Sequence, residues 1–179
     1  MHICVYCASS NTVPTEFFEV AREIGVGMAT RSWPLVYGGG SVGLMGAVAE
    51  SVQEAGGRVI GIIPQALLER EVGYLRADEL IVTQTLRERK QIMEDRADAF
   101  VALAGGFGTL EELLEILTLR QLGYHDKPII IVNTNGYYDS LLAQFEQVYA
   151  LGFTSERHRR LYGVVHKVSE ALAMLETAV

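Results

Sequence analysis

Short apolar segments rich in β-branched residues alternate along the chain with longer segments of helical periodicity. The apolar segments predict strands at His2–Cys7, Leu35–Tyr37, Arg58–Ile63, Leu80–Val82, Ala99–Leu103, Pro128–Val132 and Gly163–His166. The periodic segments predict helices at Thr15–Arg31, Val42–Glu54, Leu86–Arg96, Thr109–Leu122, Tyr137–Leu151 and Ser169–Thr177. Strands separated by helices favour right-handed crossovers, so the pattern predicts an α/β fold whose parallel sheet is covered by helices on both faces.

Between the third and fourth predicted strands, the polar stretch Pro64–Glu79 predicts a loop or a short helix over a pocket. No repeat, low-complexity tract or linker interrupts the chain. We therefore expect residues 1–179 to form one domain, a common size for a single core.

Composition narrows the function classes. The net charge of −7 argues against binding to nucleic acid, which needs clustered Lys and Arg. No apolar run reaches the ~20 residues that span a bilayer, and the N-terminus does not resemble a signal peptide. We therefore expect a cytoplasmic protein without membrane partners. The two cysteines, Cys4 and Cys7, lie within the first apolar run, which favours buried, unreactive thiols over a redox motif or a zinc site.

Two glycine-rich turns, Tyr37–Gly46 and Leu103–Glu112, each follow a predicted strand and begin a predicted helix. Glycine lets the backbone approach a ligand closely, and the first N–H groups of a helix attract anions. Two such junctions suggest a pocket for a phosphorylated small molecule, with candidate contacts at Gly39, Gly40, Gly43 and Gly105. The alternative is that these glycines serve only tight turns and close packing.

The first turn also spells G-x-G-x-x-G at Gly38, Gly40 and Gly43, the pattern of dinucleotide-binding folds. That fold requires an acidic residue at the end of the next strand to bind a ribose hydroxyl. Here Arg58–Ile63 is followed directly by Pro64, and neither turn carries the Gly-Lys-Ser/Thr of a P-loop. The sequence therefore disfavours a nicotinamide, flavin or P-loop nucleotide site.

Three groups of polar residues have two interpretations each. Thr109 and Glu112 match a capping box, but Glu112 is equally a candidate catalytic acid. The cluster Arg87–Lys90 is either a solvated helix face or part of a phosphate site. Ser9 and Ser10 end the first strand and could reach a pocket at the sheet edge, although no His/Asp partner supports nucleophilic chemistry.

In combination these motifs resemble the LOG ("lonely guy") family of cytokinin riboside 5′-monophosphate phosphoribohydrolases, often mislabelled as lysine decarboxylases. The resemblance is carried by Val36–Gly40, Gly43–Gly46, Arg89-Lys90 and Gly105–Glu112, and extends from Ile3 to about Phe153. It implies a Rossmann-like homodimer that hydrolyses the N-glycosidic bond of a purine nucleoside 5′-monophosphate, without a metal or redox cofactor.

The resemblance implies that Arg89 and Glu112 are the catalytic pair. It places further residues at substrate-contacting positions: Glu71, Lys90, Gly106, Phe107, Gly108, Thr109 and Thr118. Two positions depart from the family pattern, since Ala104 replaces its Pro and Leu86-Arg87 replaces its Met-His. Related Rossmann-like proteins only bind a nucleotide-like cofactor such as molybdopterin, so a non-catalytic carrier is the alternative function. The apolar stretch Leu113–Leu119 also predicts a dimer built through helices.

Overall fold

The computed structural model describes residues 1–68, 70 and 73–177 of the chain. Within these residues, parallel strands form a single sheet: β1 Ile3–Tyr6, β2 Leu35–Tyr37, β3 Val59–Pro64, β4 Glu79–Thr83, β5 Ala99–Ala102, β6 Ile129–Val132 and β7 Gly163–Val165. The helices are α1 Thr15–Ala29, α2 Gly43–Glu54, α3 Gln65–Leu68, α4 Leu86–Arg96, α5 Phe107–Leu122, α6 Asp139–Ala150 and α7 Val168–Thr177. The predicted α/β fold is confirmed.

The residue pattern of β1 explains the three layers. Ile3 and Val5 pack into one core with α1, α2 and α7, while Cys4 and Tyr6 pack into a second core with α4, α5 and α6. Both faces of each central strand are therefore apolar, as expected for a parallel sheet covered on both sides. Cys4 and Cys7 are buried and unpaired, and burial raises the pKa of each thiol.

Strand order determines where a ligand can bind. The order is β4-β3-β2-β1-β5-β6-β7, so the chain moves outward from β1 to β4 and then returns to place β5 on the other side of β1. Connections from β1 and β5 leave on opposite faces of the sheet and open a crevice at the carboxyl ends of these two strands. Open α/β sheets bind ligands at this switch point.

Two elements beside the crevice can be compared with the prediction, and one of them begins at a different residue. Helix α5 begins at Phe107, two residues before the predicted start at Thr109. The polar stretch after β3 contains the short helix α3, which matches one of the two predicted forms. Among the described residues, no helix is both long and apolar enough to cross a membrane.

Candidate active site

A cleft of about 360 Å³ occupies the switch point. The carboxyl end of β1 forms its floor, α4 and α5 form one wall, and residues of α2 and α3 close the other side. Its lining residues are Cys7, Ala8, Ser9, Met45, Leu67, Leu86, Arg89, Lys90, Gly106, Phe107, Gly108, Thr109, Glu111 and Glu112. Polar and charged groups converge on an otherwise apolar concavity, which is the usual composition of a small-molecule site.

A larger cavity, about 780 Å³, lies at the opposite edge of the sheet, beside the residues that precede β1, β5, β6 and β7. Its charged residues carry both signs, including Arg120, Arg160, Asp98 and Asp126. Because it faces the amino ends of the strands, it lacks the converging loops that form ligand sites in α/β folds. The cleft at the carboxyl ends is the better candidate.

The N-terminus of α5 presents free hydrogen-bond donors to the cleft. Its N-cap is Gly106, which has no side chain to satisfy the first N–H groups. Within the described part of the chain, the backbone N–H groups of Phe107, Gly108 and Thr109 have no hydrogen-bond partner. A Cβ added at Gly106 or Gly108 would meet no atom within 4 Å, so the approach to these donors is open. Free N–H groups at the positive end of a helix dipole form an anion site.

A buried ion pair lies beside this anion site. Arg89 of α4 donates a hydrogen bond from Nη2 to Oε1 of Glu112 on α5, and the two residues are only 8% and 7% exposed. Burial raises the pKa of Glu112 from 4.5 to about 7, although the Arg89 charge acts in the opposite direction. The Nε atom of Arg89 is buried without a partner, so the guanidinium retains an unused donor. A carboxyl in a cleft whose pKa is raised in this way is a candidate functional residue.

Gly38 at the end of β2 makes room for this pair. A Cβ at that position would lie 2.7 Å from Nη2 of Arg89, closer than real Cβ atoms come to other groups. The first glycine turn therefore contributes to the site through the space that it leaves for Arg89. The sequence displays Gly38 within a nucleotide-binding pattern, but it gives no signal that the missing side chain makes room for a residue 51 positions away.

Lys90 lies next to Arg89 and is held by two carboxylates. Its Nζ forms ion pairs with Glu111 and, at 2.9 Å, with Glu115. Burial lowers the pKa of Lys90, but the hydrogen bonds to Glu111 and Glu115 outweigh burial and raise it. Lys90 is therefore a fixed cation at the mouth of the cleft.

The capping-box interpretation of Thr109 and Glu112 is wrong. Because α5 begins at Phe107, Thr109 lies inside the helix and Glu112 is directed to Arg89. The capping role belongs to Thr85 and Glu88 at the start of α4: Thr85 accepts a hydrogen bond from the Glu88 N–H, and the Glu88 side chain accepts one from the N–H of Gln84. Glu112 is free of a capping role and available for chemistry.

The cleft brings together most of the predicted site residues. Those that line it are Arg89, Lys90, Gly106, Phe107, Gly108, Thr109 and Glu112. Those that lie outside its lining are Gly39, Gly40, Gly43, Gly105 and Thr118, and Glu71 lies outside the described residues. Gly105 lies under the side chain of Thr109. The substrate contacts predicted for the residues outside the lining stay predictions.

Comparisons with known proteins identify relatives of this chain. The model of a family described as "Possible lysine decarboxylase" matches residues 45–175. The chain is 48% identical over 170 residues to the cytokinin riboside 5′-monophosphate phosphoribohydrolase of Mycobacterium tuberculosis, covering 95% of this chain and 90% of the relative. It is 42% identical to the cytokinin riboside 5′-monophosphate phosphoribohydrolase LOG2 of Arabidopsis thaliana, and the match covers 97% of this chain and 82% of that relative. The chain belongs to the LOG family.

Solved structures resemble this LOG-family chain in fold. The molybdenum cofactor carrier protein of Chlamydomonas reinhardtii superposes with a TM-score of 0.76 at 24% identity, over 99% of this chain and 96% of the carrier. The structural-genomics protein TM1055 gives a TM-score of 0.77 at 25% identity, over 98% of both chains. These similarities confirm the Rossmann-like architecture.

The two departures from the family pattern leave the LOG-type cleft in place. Ala104 is buried, and its carbonyl oxygen accepts a hydrogen bond from the Ala8 N–H at 3.1 Å, so the turn remains tied to β1. Arg87 is exposed and lies outside the cleft lining. Leu86 lines the cleft and keeps an apolar side chain at that position.

Proposed function

We propose that this protein hydrolyses the N-glycosidic bond of purine nucleoside 5′-monophosphates, adenine or N6-substituted adenine, to free base and ribose 5-phosphate. The observation that carries the proposal is the buried Arg89–Glu112 pair beside the open N-terminus of α5. The names of the relatives support the same reaction.

The site groups divide the work as follows. The phosphate binds the free N–H groups of α5 together with Arg89, whose planar guanidinium suits phosphate oxygens. Binding the phosphate positions the ribose against Glu112. As the bond between the base and C1′ breaks, positive charge develops on the ribose, and the Glu112 carboxylate stabilises it or orients the attacking water. Water supplies the hydroxyl to C1′ and the proton to the departing base.

A comparison of AMP with adenosine tests this proposal. AMP, adenosine, isopentenyl-AMP, GMP and CMP are each incubated with the protein, and the released base is quantified. We expect kcat/KM for adenosine to be about a hundredfold or more below that for AMP, since the nucleoside loses charge-assisted hydrogen bonds of about 1.5–3 kcal/mol each. Equal turnover of adenosine and AMP would contradict the phosphate site. Tight binding of monophosphates without turnover would instead favour a non-catalytic nucleotide or molybdopterin-type carrier.

Lysine decarboxylation fits the cleft poorly. Of the lysines in the described chain, Lys90 alone lines the cleft. A lysine that forms a Schiff base needs a lowered pKa, but the Glu111 and Glu115 carboxylates raise that of Lys90. The cleft therefore supports phosphoribohydrolase chemistry over decarboxylation.

A homodimer across α5 accounts for an exposed apolar face. One side of α5 packs on the sheet through Leu113, Ile116 and Leu117, while Phe107 and Leu114 on the other side are 92% and 42% exposed. Phe107, Leu110, Leu114, Thr118 and Leu119 form a continuous surface on this outer side. Monomers rarely leave such a face uncovered, and a two-fold axis would cover it with its own copy.

This arrangement also gives Thr118 a role. If the two α5 helices cross antiparallel at Leu114, position 118 of one helix lies opposite position 110 of the other. Position 110 is one turn from Phe107, which lines the cleft. Thr118 would then reach the cleft of the other copy, which reconciles its predicted substrate contact with its place outside the cleft of its own chain.

The dimer is tested by light scattering at micromolar concentration. We expect twice the 19.7 kDa chain mass for the wild type and a single chain mass, with reduced turnover, for Leu114→Glu. Val26→Glu is the matched control: Val26 is 45% exposed on α1, on the other face of the sheet, and this variant should remain dimeric. A wild-type protein of single chain mass would contradict the dimer.

We also propose that the chain forms a single domain and that the protein is located in the cytoplasm. All described strands belong to one sheet, which supports a single domain. The free thiols of Cys4 and Cys7 fit a reducing compartment.

A further inference from the structure

The loop that follows β1, Ala8–Asn11, is tied to the N-terminus of α2. The N–H groups of Leu44 and Met45 donate to the carbonyl oxygen of Ala8 at 2.9 and 3.2 Å, and the Gly43 N–H donates to Oδ1 of Asn11 at 2.8 Å. These donors at the start of α2 therefore have protein partners, in contrast to those at the start of α5. The first glycine turn holds a loop where the second is open to a ligand.

Close packing fixes the position of this loop. Gly43 has φ +63°, and a Cβ there would lie 2.6 Å from the backbone nitrogen of Ser10 and closer still to the carbonyl carbon of Ser9. On its other side, the Ala8 N–H donates to the carbonyl oxygen of Ala104 at the base of the second glycine turn. The backbone at Ser9 is thus fixed between the two glycine turns.

The two serines of the loop differ in their surroundings. Ser9 is exposed, lines the cleft, and its hydroxyl has no hydrogen-bond partner among the described residues. The hydroxyl of Ser10 is paired with Oγ1 of Thr12 at 2.9 Å and lies outside the cleft lining. A fixed loop therefore supplies the cleft with one serine whose hydroxyl can both donate and accept.

We infer that Ser9 is a specificity-determining residue that hydrogen-bonds a secondary hydroxyl of the substrate ribose. This inference rests on the proposed function. With the phosphate at the α5 N-terminus and C1′ at Glu112, the ribose lies between them, above the end of β1 where Ser9 lies. The 2′- and 3′-hydroxyls are the ribose groups left without a partner by the phosphate and carboxylate sites. Ser9 offers an exposed, uncharged hydroxyl of the lining that has no partner among the described residues, whereas Thr109, the other hydroxyl residue of the lining, is buried in the first turn of α5.

The test compares Ser9→Ala with the matched control Ser10→Ala on AMP, 2′-deoxy-AMP and 3′-deoxy-AMP. We expect Ser9→Ala to lower kcat/KM for AMP by about 5- to 10-fold, the usual effect of losing one neutral hydrogen bond. For the analogue that lacks the bonded hydroxyl, kcat/KM should be the same in Ser9→Ala as in the wild type. The preference of the enzyme for AMP over that analogue therefore falls. Ser10→Ala should match the wild type on all three substrates.

Calorimetry with ribose 5-phosphate gives a readout that is independent of turnover. The affinity for ribose 5-phosphate should fall in Ser9→Ala and stay at the wild-type value in Ser10→Ala. An equal fall with AMP and with both deoxy analogues would overturn the inference, because it would indicate a structural role, and so would unchanged kinetics on AMP. Failure of the proposed function has a different signature, since the wild type would then release no base from any monophosphate.

Discussion

Replacing Glu112 by Gln should lower kcat for base release about a hundredfold or more. The amide oxygen can still accept the hydrogen bond from Arg89, so the change removes the negative charge and keeps most of the shape. Loss of a single preorganised electrostatic contact to a charged transition state has costs of this order. Turnover is measured at pH 8, where the wild-type carboxyl is ionised because its pKa is about 7.

Glu111→Gln is the matched control for this experiment. It removes the same charge from the same helix, but Glu111 is more than half exposed and bonds to Lys90. At pH 8 we expect the kcat of Glu111→Gln to stay within a few-fold of the wild type. In Glu112→Gln, we expect the affinity for monophosphates to change little. Arg89→Ala should weaken binding as well as turnover, because it removes the group that binds the phosphate. A Glu112→Gln enzyme with near-normal kcat would refute the catalytic assignment.

The fold follows from local patterns. Strands such as Leu35–Tyr37 and helices such as Leu86–Arg96 were predictable to the residue because both faces of the strand are buried and because Thr85 caps the helix. The helices between the strands predicted a parallel sheet, in which both glycine turns lie at the carboxyl ends of the strands they follow.

The site was only partly predictable, as two similar motifs show. Thr85-Leu-Arg-Glu88 and Thr109-Leu-Glu-Glu112 have the same pattern of Thr and Glu, yet the first caps a helix and the second does not. The difference lies in where each helix begins, and the boundary of α5 depends on glycines that need no side-chain cap. Sequence alone could not separate the two uses of the motif.

Long-range packing set the remaining limit. The absence of a Cβ at Gly38 makes room for the side chain of Arg89, and its absence at Gly43 makes room for the backbone of the loop at Ser9. Both effects depend on the absence of a Cβ at a contact between distant segments, which a pattern of neighbouring residues does not encode. Gly39, Gly40 and Gly43 lie outside the cleft lining, and their predicted substrate contacts stay predictions.

The activity should also depend on pH through Glu112. Burial favours the neutral acid and raises its pKa to about 7, so the ionised form predominates only above that value. If the carboxylate stabilises the developing cation, kcat at saturating AMP should fall about tenfold per pH unit below 7 and level off above it. The profile is measured between pH 5 and pH 9 in buffers of constant ionic strength.

Two variants with opposite effects identify the titrating group. The negative charge of Glu111 raises the pKa of Glu112, and the positive charge of Lys90 lowers it. Glu111→Gln should therefore move the midpoint of the profile to lower pH, and Lys90→Gln should move it to higher pH. The phosphate of free AMP titrates near pH 6, and that ionisation affects kcat/KM but not kcat at saturating AMP. A midpoint that stays fixed in both variants would leave Glu112 without a titrating role in catalysis.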